Sequence, residues 1–269
     1  MGAIAYCRPS DNIAATATIT LPSGTADSAY PSANLVDLDP AKPAKLTTTT
    51  GRWVFNFGSA KELLAAVLAH TNIDAGLEVR LQGNATDAWG APSLNQTFTM
   101  PAAAQHDFRA SAFVNLSAVS PRTYQYWSVV VVGTNAAAIA IGEIVLSSAL
   151  RQFTKNIGMG VAETEEQPVS ELRTAGGSSL IYRYGTRKRR LSGELLRDDS
   201  AADWADMLAL VRDARGRGKS FVFMPDLAVN DAWVVRFAGA SVDAVVTRPF
   251  STHRRWTWTV EEVVSGLVL

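Results

Sequence analysis

Apolar and polar residues alternate with a period of two along most of this chain, and the pattern changes character near its middle. In Arg52-Trp-Val-Phe-Asn-Phe57, Trp53, Phe55 and Phe57 fall on one face and Arg52, Val54 and Asn56 on the other, which predicts a strand. Leu77-Glu-Val-Arg-Leu-Gln82 alternates as cleanly, and residues 15–21 do so before Pro22-Ser-Gly24 ends them in a turn. Phe98, Phe108, residues 113–116 and residues 124–132 supply further strands. Residues 63–70 read either as a short helix, because Lys61-Glu-Leu-Leu-Ala-Ala favours one, or as a buried strand. Neighbouring strands favour the strand. Ala140-Ile-Gly-Glu-Ile-Val-Leu146 is apolar except for its Gly-Glu step and reads as a buried strand closing the first half.

Beyond residue 150 charged residues become frequent. Leu180-Ile-Tyr-Arg-Tyr184 and Arg189-Arg-Leu-Ser-Gly-Glu-Leu-Leu196 predict an antiparallel pair around Gly185-Thr-Arg-Lys188. A helix is predicted at about 200–215: Ser200 and Asp203 suit its start, and Trp204, Met207, Leu208 and Val211 recur at helical spacing. Arg212, Arg215 and Arg217 suit its end, where Gly216 and Gly218 stop it. Residues 219–225, 232–237 and 253–264 follow as strands, the last with Trp256, Trp258 and Val260 on one face. The expected architecture is mainly β: residues 1–150 as one domain, and residues 151–269 as a second with one α-helix.

Composition narrows the partners. With 47% hydrophobic residues a packed core is expected. Twenty-five basic residues balance twenty-five acidic ones, so no global field recruits nucleic acid or an anionic membrane. No apolar run is long enough to span a bilayer, so no membrane insertion is expected. Cys7 is the single cysteine, which excludes an intramolecular disulfide and a Cys-based zinc site within one chain. The first residues lack the basic and apolar regions of a signal peptide, and a reducing cytoplasm is the expected place of folding.

Little in the chain suggests catalysis. His70, His106 and His253 are far apart and stand in no metal-ligand spacing. Gly158-Met-Gly160 lacks the rest of a dinucleotide loop, and no Gly-x-Ser-x-Gly elbow occurs. Asp37, Asp39, Asp74 and Asp87 offer oxygen ligands for calcium but form no compact loop, and solvated carboxylates are the better reading. No metal and no cofactor is expected, and no enzyme activity. Trp89 shares a loop with Asn84 and Asp87, an aromatic face plus polar groups that suit a sugar, although a Trp folded back over the sandwich edge is the better reading. Arg187-Lys188-Arg189-Arg190 is the densest charge run, with Glu163, Glu165 and Glu166 as its acidic counterpart. Both are candidates for contacts between subunits.

Two resemblances follow from these motifs. Tyr30-Pro-Ser-Ala-Asn-Leu-Val-Asp37, Arg52-Trp-Val-Phe-Asn-Phe-Gly58, Leu77-Glu-Val-Arg-Leu-Gln82 and Ile141-Gly-Glu-Ile-Val-Leu146 resemble, in order and approximate spacing, the discoidin-type jelly roll. Members of that family from secreted proteins often carry a terminal disulfide, which this chain cannot form. The second half is similar to tail-tip proteins of long-tailed bacteriophages, the distal tail proteins among them. The matching order is a strand pair, one helix ending in Arg/Gly, Phe221-Val-Phe-Met-Pro-Asp226, Trp233-Val-Val235, and Trp256-Thr-Trp-Thr-Val-Glu-Glu262. Distal tail proteins commonly place the barrel-like domain first, whereas here the jelly roll leads. The resemblance implies a β-barrel-like second domain and a structural virion protein of a tail tip or baseplate. Such a protein is made in the host cytoplasm, forms a ring of its own copies, and contacts tube, hub and fibre proteins. The jelly roll implies the alternative, a carbohydrate-binding module for a cell-surface glycan.

Overall fold

The computed structural model describes residues 4–40, 42–74, 76–98, 110–153, 162–166, 169–173, 179–183, 188–196, 201–214, 218–227, 231–238 and 255–263. Its first strands are β1 (Ala5–Cys7), β2 (Thr18–Ser23), β3 (Ala44–Lys45), β4 (Gly51–Glu62) and β5 (Ala65–Thr71). Then come β6 (Glu78–Asn84), β7 (Leu94–Phe98), β8 (Ala110–Asn115), β9 (Thr123–Val132) and β10 (Ala140–Ser147). The second half adds β11 (Arg151–Gln152), β12 (Ala162–Glu166), β13 (Val169–Arg173), β14 (Ser179–Arg183) and β15 (Lys188–Leu196). Helix α1 (Ala201–Asp213) leads to β16 (Phe221–Asp226), β17 (Asp231–Phe237) and β18 (Arg255–Glu262). The protein is mainly β, as the alternating pattern predicts.

Every residue of β5 and β10 is buried, and this fixes the layering. They are the inner strands of a four-stranded sheet, β3-β10-β5-β8. Side chains of a strand leave alternately by its two faces, so a strand buried throughout must be covered on both. From β5, Ala66 and Leu68 join Trp53, Phe55, Leu81, Trp127 and Val129 of the five-stranded sheet β2-β4-β9-β6-β7. Ala65, Val67 and Ala69 face the other way, onto Cys7, Val222, Met224 and Val234 of the seven-stranded sheet β11-β1-β16-β17-β18-β15-β12. Helix α1 covers the far face of that sheet. Its buried Met207, Leu210 and Ala214 pack with Tyr6, Phe221, Phe223, Trp233 and Trp258. The order of layers is thus five strands, four strands, seven strands, helix.

The middle contact is thinner chemically than the two outer cores. Alanine supplies many of its residues, so Phe113, Val222, Met224 and Val234 carry most of the apolar burial, each contributing about 1.5–3 kcal/mol. Polar groups fill the remainder. The backbone at His70 is left-handed (φ 54), and the pairing of β5 with β8 slips between Leu68 and Thr71. A bulge of this kind breaks the alternation of side chains. It leaves the buried His70 imidazole 4.0 Å from the Glu262 carboxylate of the seven-stranded sheet. Opposite His70, a Cβ on Gly142 would lie 2.8 Å from the His70 Cβ and 3.0 Å from the Pro40 carbonyl oxygen, so only glycine fits there.

Two pairings depart from the sequence pattern. β14 does not pair with β15; it pairs with β13, Tyr182 opposite Ser170, while β15 lies between β12 and β18. The β12 register sets Glu165 opposite Arg189 and Glu166 opposite Lys188, positions where opposite charge favours the match. Residues 4–7 precede the jelly-roll strands in sequence, yet β1 lies in the seven-stranded sheet, hydrogen-bonded between β11 and β16. The chain after β1 reinforces this placement. Arg8 donates to Asp206 of α1 at 2.8 Å, Ser10 N–H to Asp213 at 2.8 Å, and Arg151 grips Asp11 through Nε (3.0 Å) and Nη2 (3.2 Å). Three apolar residues gave no pattern long enough to announce the strand. Ser200, the expected helix cap, and Phe108 lie outside the described residues.

Candidate functional site

The outer face of the five-stranded sheet carries a polar patch built by strand alternation. Trp53, Phe55, Leu81 and Val129 point into the sandwich, so Arg52, Gln82, Ser128 and Asn95 lie on the opposite face of β4, β6, β9 and β7. Cross-strand register brings them together: Gln82 is opposite both Ser128 and Asn95, and Arg52 is opposite Val130, two residues along β9 from Ser128. The Arg52 Nη1 donates to Gln82 Oε1 (2.7 Å) and Ser128 Oγ (3.0 Å). Gln82 Nε2 in turn donates to Asn95 Oδ1 (3.2 Å), which fixes the amide with its oxygen toward the arginine. Gln82 and Ser128 are buried although they are on an outward face.

The loop between β6 and β7 adds the aromatic component. Asn84 is its strut: Oδ1 accepts from Ala85 N–H and Ser93 Oγ, both at 3.0 Å, while Nδ2 donates to the Ala88 carbonyl at 2.5 Å. Trp89 is half-buried, donates its indole N–H to Asp87 Oδ1 at 2.7 Å, and stacks beside Arg52, whose Cζ is 5.2 Å from the ring centroid. The structure therefore brings together Trp89 and Asp87, assigns Asn84 to holding the loop, and adds Arg52, Gln82, Ser128 and Asn95. Those four escaped the sequence reading because each is an ordinary outward residue on its own strand. The signal that could have found them is polar residues at outward positions of adjoining strands. Burial pulls the Arg52 guanidinium below its usual range, and the charge of Asp87 acts in the opposite direction. The neighbouring Arg80 is different: it donates to Glu78 at 2.6 Å, which raises the arginine and, with the Thr97 hydroxyl, holds the Glu78 carboxyl low.

The basic and acidic runs meet inside one chain. Arg189 forms a two-pronged pair with the buried Glu262 (Nη2 to Oε1 2.8 Å, Nε to Oε2 3.0 Å) and lies 4.0 Å from the centroid of Trp233. Arg190 and Arg236 share Glu261, at 3.4 and 2.9 Å. Glu163, Glu165 and Glu166 occupy β12, paired with the β15 strand that starts at Lys188. Arg187 lies outside the described residues.

Other candidate chemistry is dispersed. Asp74 accepts from the Ala136 amide at 2.7 Å, Asp37 from the Asp39 amide at 2.9 Å, and Asp39 pairs with Lys42 at 3.0 Å. Among the described residues no three metal-binding side chains cluster. His106 and His253 lie outside those residues. A cleft of about 450 Å³ opens where the layers meet, with Asp37 and Asp39 on one wall and Lys219 and Arg236 on the other. Near Asp37 and Asp39, Glu143 is fully buried and neither carboxylate oxygen makes a well-formed hydrogen bond. Burial raises its carboxyl well above the usual carboxylate range; the Leu38 and Asp39 amides pull it back only in part. The Cys7 thiol, buried in the middle contact, is pushed up to about 12 by desolvation. No described helix is long and apolar enough to cross a membrane.

No protein-family model and no curated protein matches the chain. Solved structures similar to it include SpX-3, a fucose-binding module of Streptococcus pneumoniae. That match has 9% identity over 50% of this chain and 96% of the other, with a TM-score of 0.39. The lectin domain of lectinolysin complexed with Lewis B antigen matches at 13% identity over 50% and 94% (TM-score 0.38). Chitosan-binding module 1 of a Paenibacillus chitosanase/glucanase matches at 16% over 50% and 97% (TM-score 0.37). All are carbohydrate-binding modules; likeness this distant carries no argument about what the present chain binds.

Proposed function

We propose that the chain is a non-catalytic structural subunit of a bacteriophage tail tip or baseplate, assembling into a ring with its jelly roll outward. The supporting observation is the middle contact. The sandwich packs through a buried, largely apolar face onto the seven-stranded sheet, which also takes β1. A module built this way transmits position rigidly, as an assembly part must. The resemblance of the motif order over most of residues 150–265 to tail-tip proteins supports this choice of assembly. Native mass and negative-stain imaging of the purified chain, alone and with tail-tube protein, test it. Closed rings are expected. A monomer that neither closes nor adds to the tube at micromolar concentration overturns the reading.

A second reading is favoured by the Trp89 loop: recognition of a cell-surface glycan by the outer face of the jelly roll. A half-exposed indole fixed by Asp87, above oriented amide and guanidinium groups, offers an apolar surface for a sugar ring and partners for its hydroxyls. Trp89→Ala is expected to abolish glycan binding with the thermal midpoint nearly unchanged. Binding that survives this change removes the site from consideration.

A further inference from the structure

The outer face of the five-stranded sheet holds two arginines with opposite electrostatic settings. Arg80 is neutralised by Glu78. Arg52 is half-buried, and no carboxylate among the described residues lies within ion-pair distance of it. Asp87 is close enough to influence it but spends its Oδ1 on the Trp89 indole. Among the described residues, this face therefore keeps a partly desolvated cation without a counter-ion in ion-pair contact.

The guanidinium is nonetheless firmly placed. Both of its contacts, to Gln82 and Ser128, use Nη1, and both partners are almost fully buried. Asn95 orients Gln82 from the far side, and Trp89 stacks from above. Nε and Nη2, which together form one donating edge of the guanidinium, make no hydrogen bond with any described residue. That edge matches the two oxygens of a carboxylate.

We propose that Arg52 is an anion-receiving centre and that its ligand is a carboxylated sugar, a uronic or sialic acid residue of a surface polysaccharide. The inference rests on the glycan reading of the Trp89 loop and deepens it by naming the sugar class. Trp89 provides the apolar face on which a pyranose ring stacks, and Arg52 selects the ring that bears a carboxylate. A nucleic-acid backbone is a poorer fit, because Arg80 is already neutralised and the chain as a whole carries no net charge. Asp87 opposes the incoming carboxylate, which gives the proposal a signature of its own. Removing that charge while retaining the indole's acceptor should strengthen binding of acidic sugars and leave neutral sugars unaffected.

Titration calorimetry of the full chain provides the test, with trigalacturonate against galactotriose, sialyllactose against lactose, and inorganic phosphate as a sugar-free anion. At least one acidic sugar is expected to bind about tenfold or more tightly than its neutral counterpart, and to weaken as salt rises. Arg52→Gln should erase that preference, and Asp87→Asn, which leaves the arginine and its packing in place, should improve acid binding a few-fold. Thermal midpoints of both variants exclude misfolding. Equal binding of acidic and neutral sugars, unaltered by Arg52→Gln, overturns the acidic preference while sparing the glycan reading. Phosphate binding as tight as the sugars overturns the sugar assignment. Failure of all probes with the protein folded overturns both.

Discussion

Among the described residues an arginine lies over a tryptophan twice, and the two sites have opposite characters. At Arg189 and Trp233 the guanidinium lies 4.0 Å from the ring and its Nε/Nη2 edge is held by both oxygens of Glu262, whose carboxylate is fully buried. His70 approaches the same carboxylate from the neighbouring sheet. At Arg52 and Trp89 the separation is 5.2 Å, the hydrogen bonds go to neutral groups, and the edge of the cation is left over. An arginine over an aromatic ring therefore says little by itself. Its counter-ion decides whether the pair is a fastener or a receiver. A buried carboxylate makes Arg189 part of the joint between sheets, and its absence leaves Arg52 open to an external one.

That contrast can be broken most forcefully at Glu262. Glu262→Gln removes the buried carboxylate that Arg189 holds and is expected to cost about 3–5 kcal/mol in urea unfolding. Cys7, in the adjoining contact between sheets, should also become easier to label at pH 8, where its raised thiol and burial otherwise keep it inert. An unchanged midpoint and labelling rate would show that the joint does not depend on this pair.

Glu143 tests a third arrangement, a buried carboxyl with no partner charge. Its folded-state pKa is raised, so between the ordinary value near 4.5 and the raised one the folded chain holds a proton that the unfolded chain has lost. Stability from this group is present at low pH and falls as pH rises through that window. Glu143→Gln should flatten the loss, with a gain of about 1–3 kcal/mol over the parent at the alkaline end. Parallel pH profiles for the two proteins would contradict the assignment.

The smaller effects belong to the open site. Arg52→Gln should lower stability by only about 1 kcal/mol, because its partners are neutral and reach one end of the guanidinium. Trp89→Phe, which keeps an aromatic surface but loses the bond to Asp87, should cost a few tenths of a kcal/mol in a thermal melt. A loss comparable to that of Glu262→Gln in either variant would make the outer patch a structural fastener after all.

Much of this was legible in the residue order. Alternation in 52–57 and 77–82 gave the strands of the outer sheet and their inward tryptophan, phenylalanine and leucine. The apolar runs at 65–69 and, apart from its Gly-Glu step, 140–146 announced buried strands, though not what covered them. What stayed hidden depends on register between distant segments. β1 is too short to show a period, and β15 pairs with a strand twenty-odd residues earlier rather than with the one across the nearest turn. The site followed the same rule. Trp89 and Asp87 stood out as loop residues two apart, whereas Arg52, Gln82 and Ser128 come from three separate strands and become neighbours only when the sheet forms.

The position of β1 also sets a schedule. Its partner β16 is more than two hundred residues further along, so at ribosomal speeds of about 5–20 residues per second the gap is roughly 10 to 40 seconds. Well before β16 emerges the jelly roll has all of its own strands and can close, and β11 is at hand for one edge of β1, while the other edge waits. The seven-stranded layer is thus finished from segments on both sides of the jelly roll, and β1 is among the last strands to gain all of its partners.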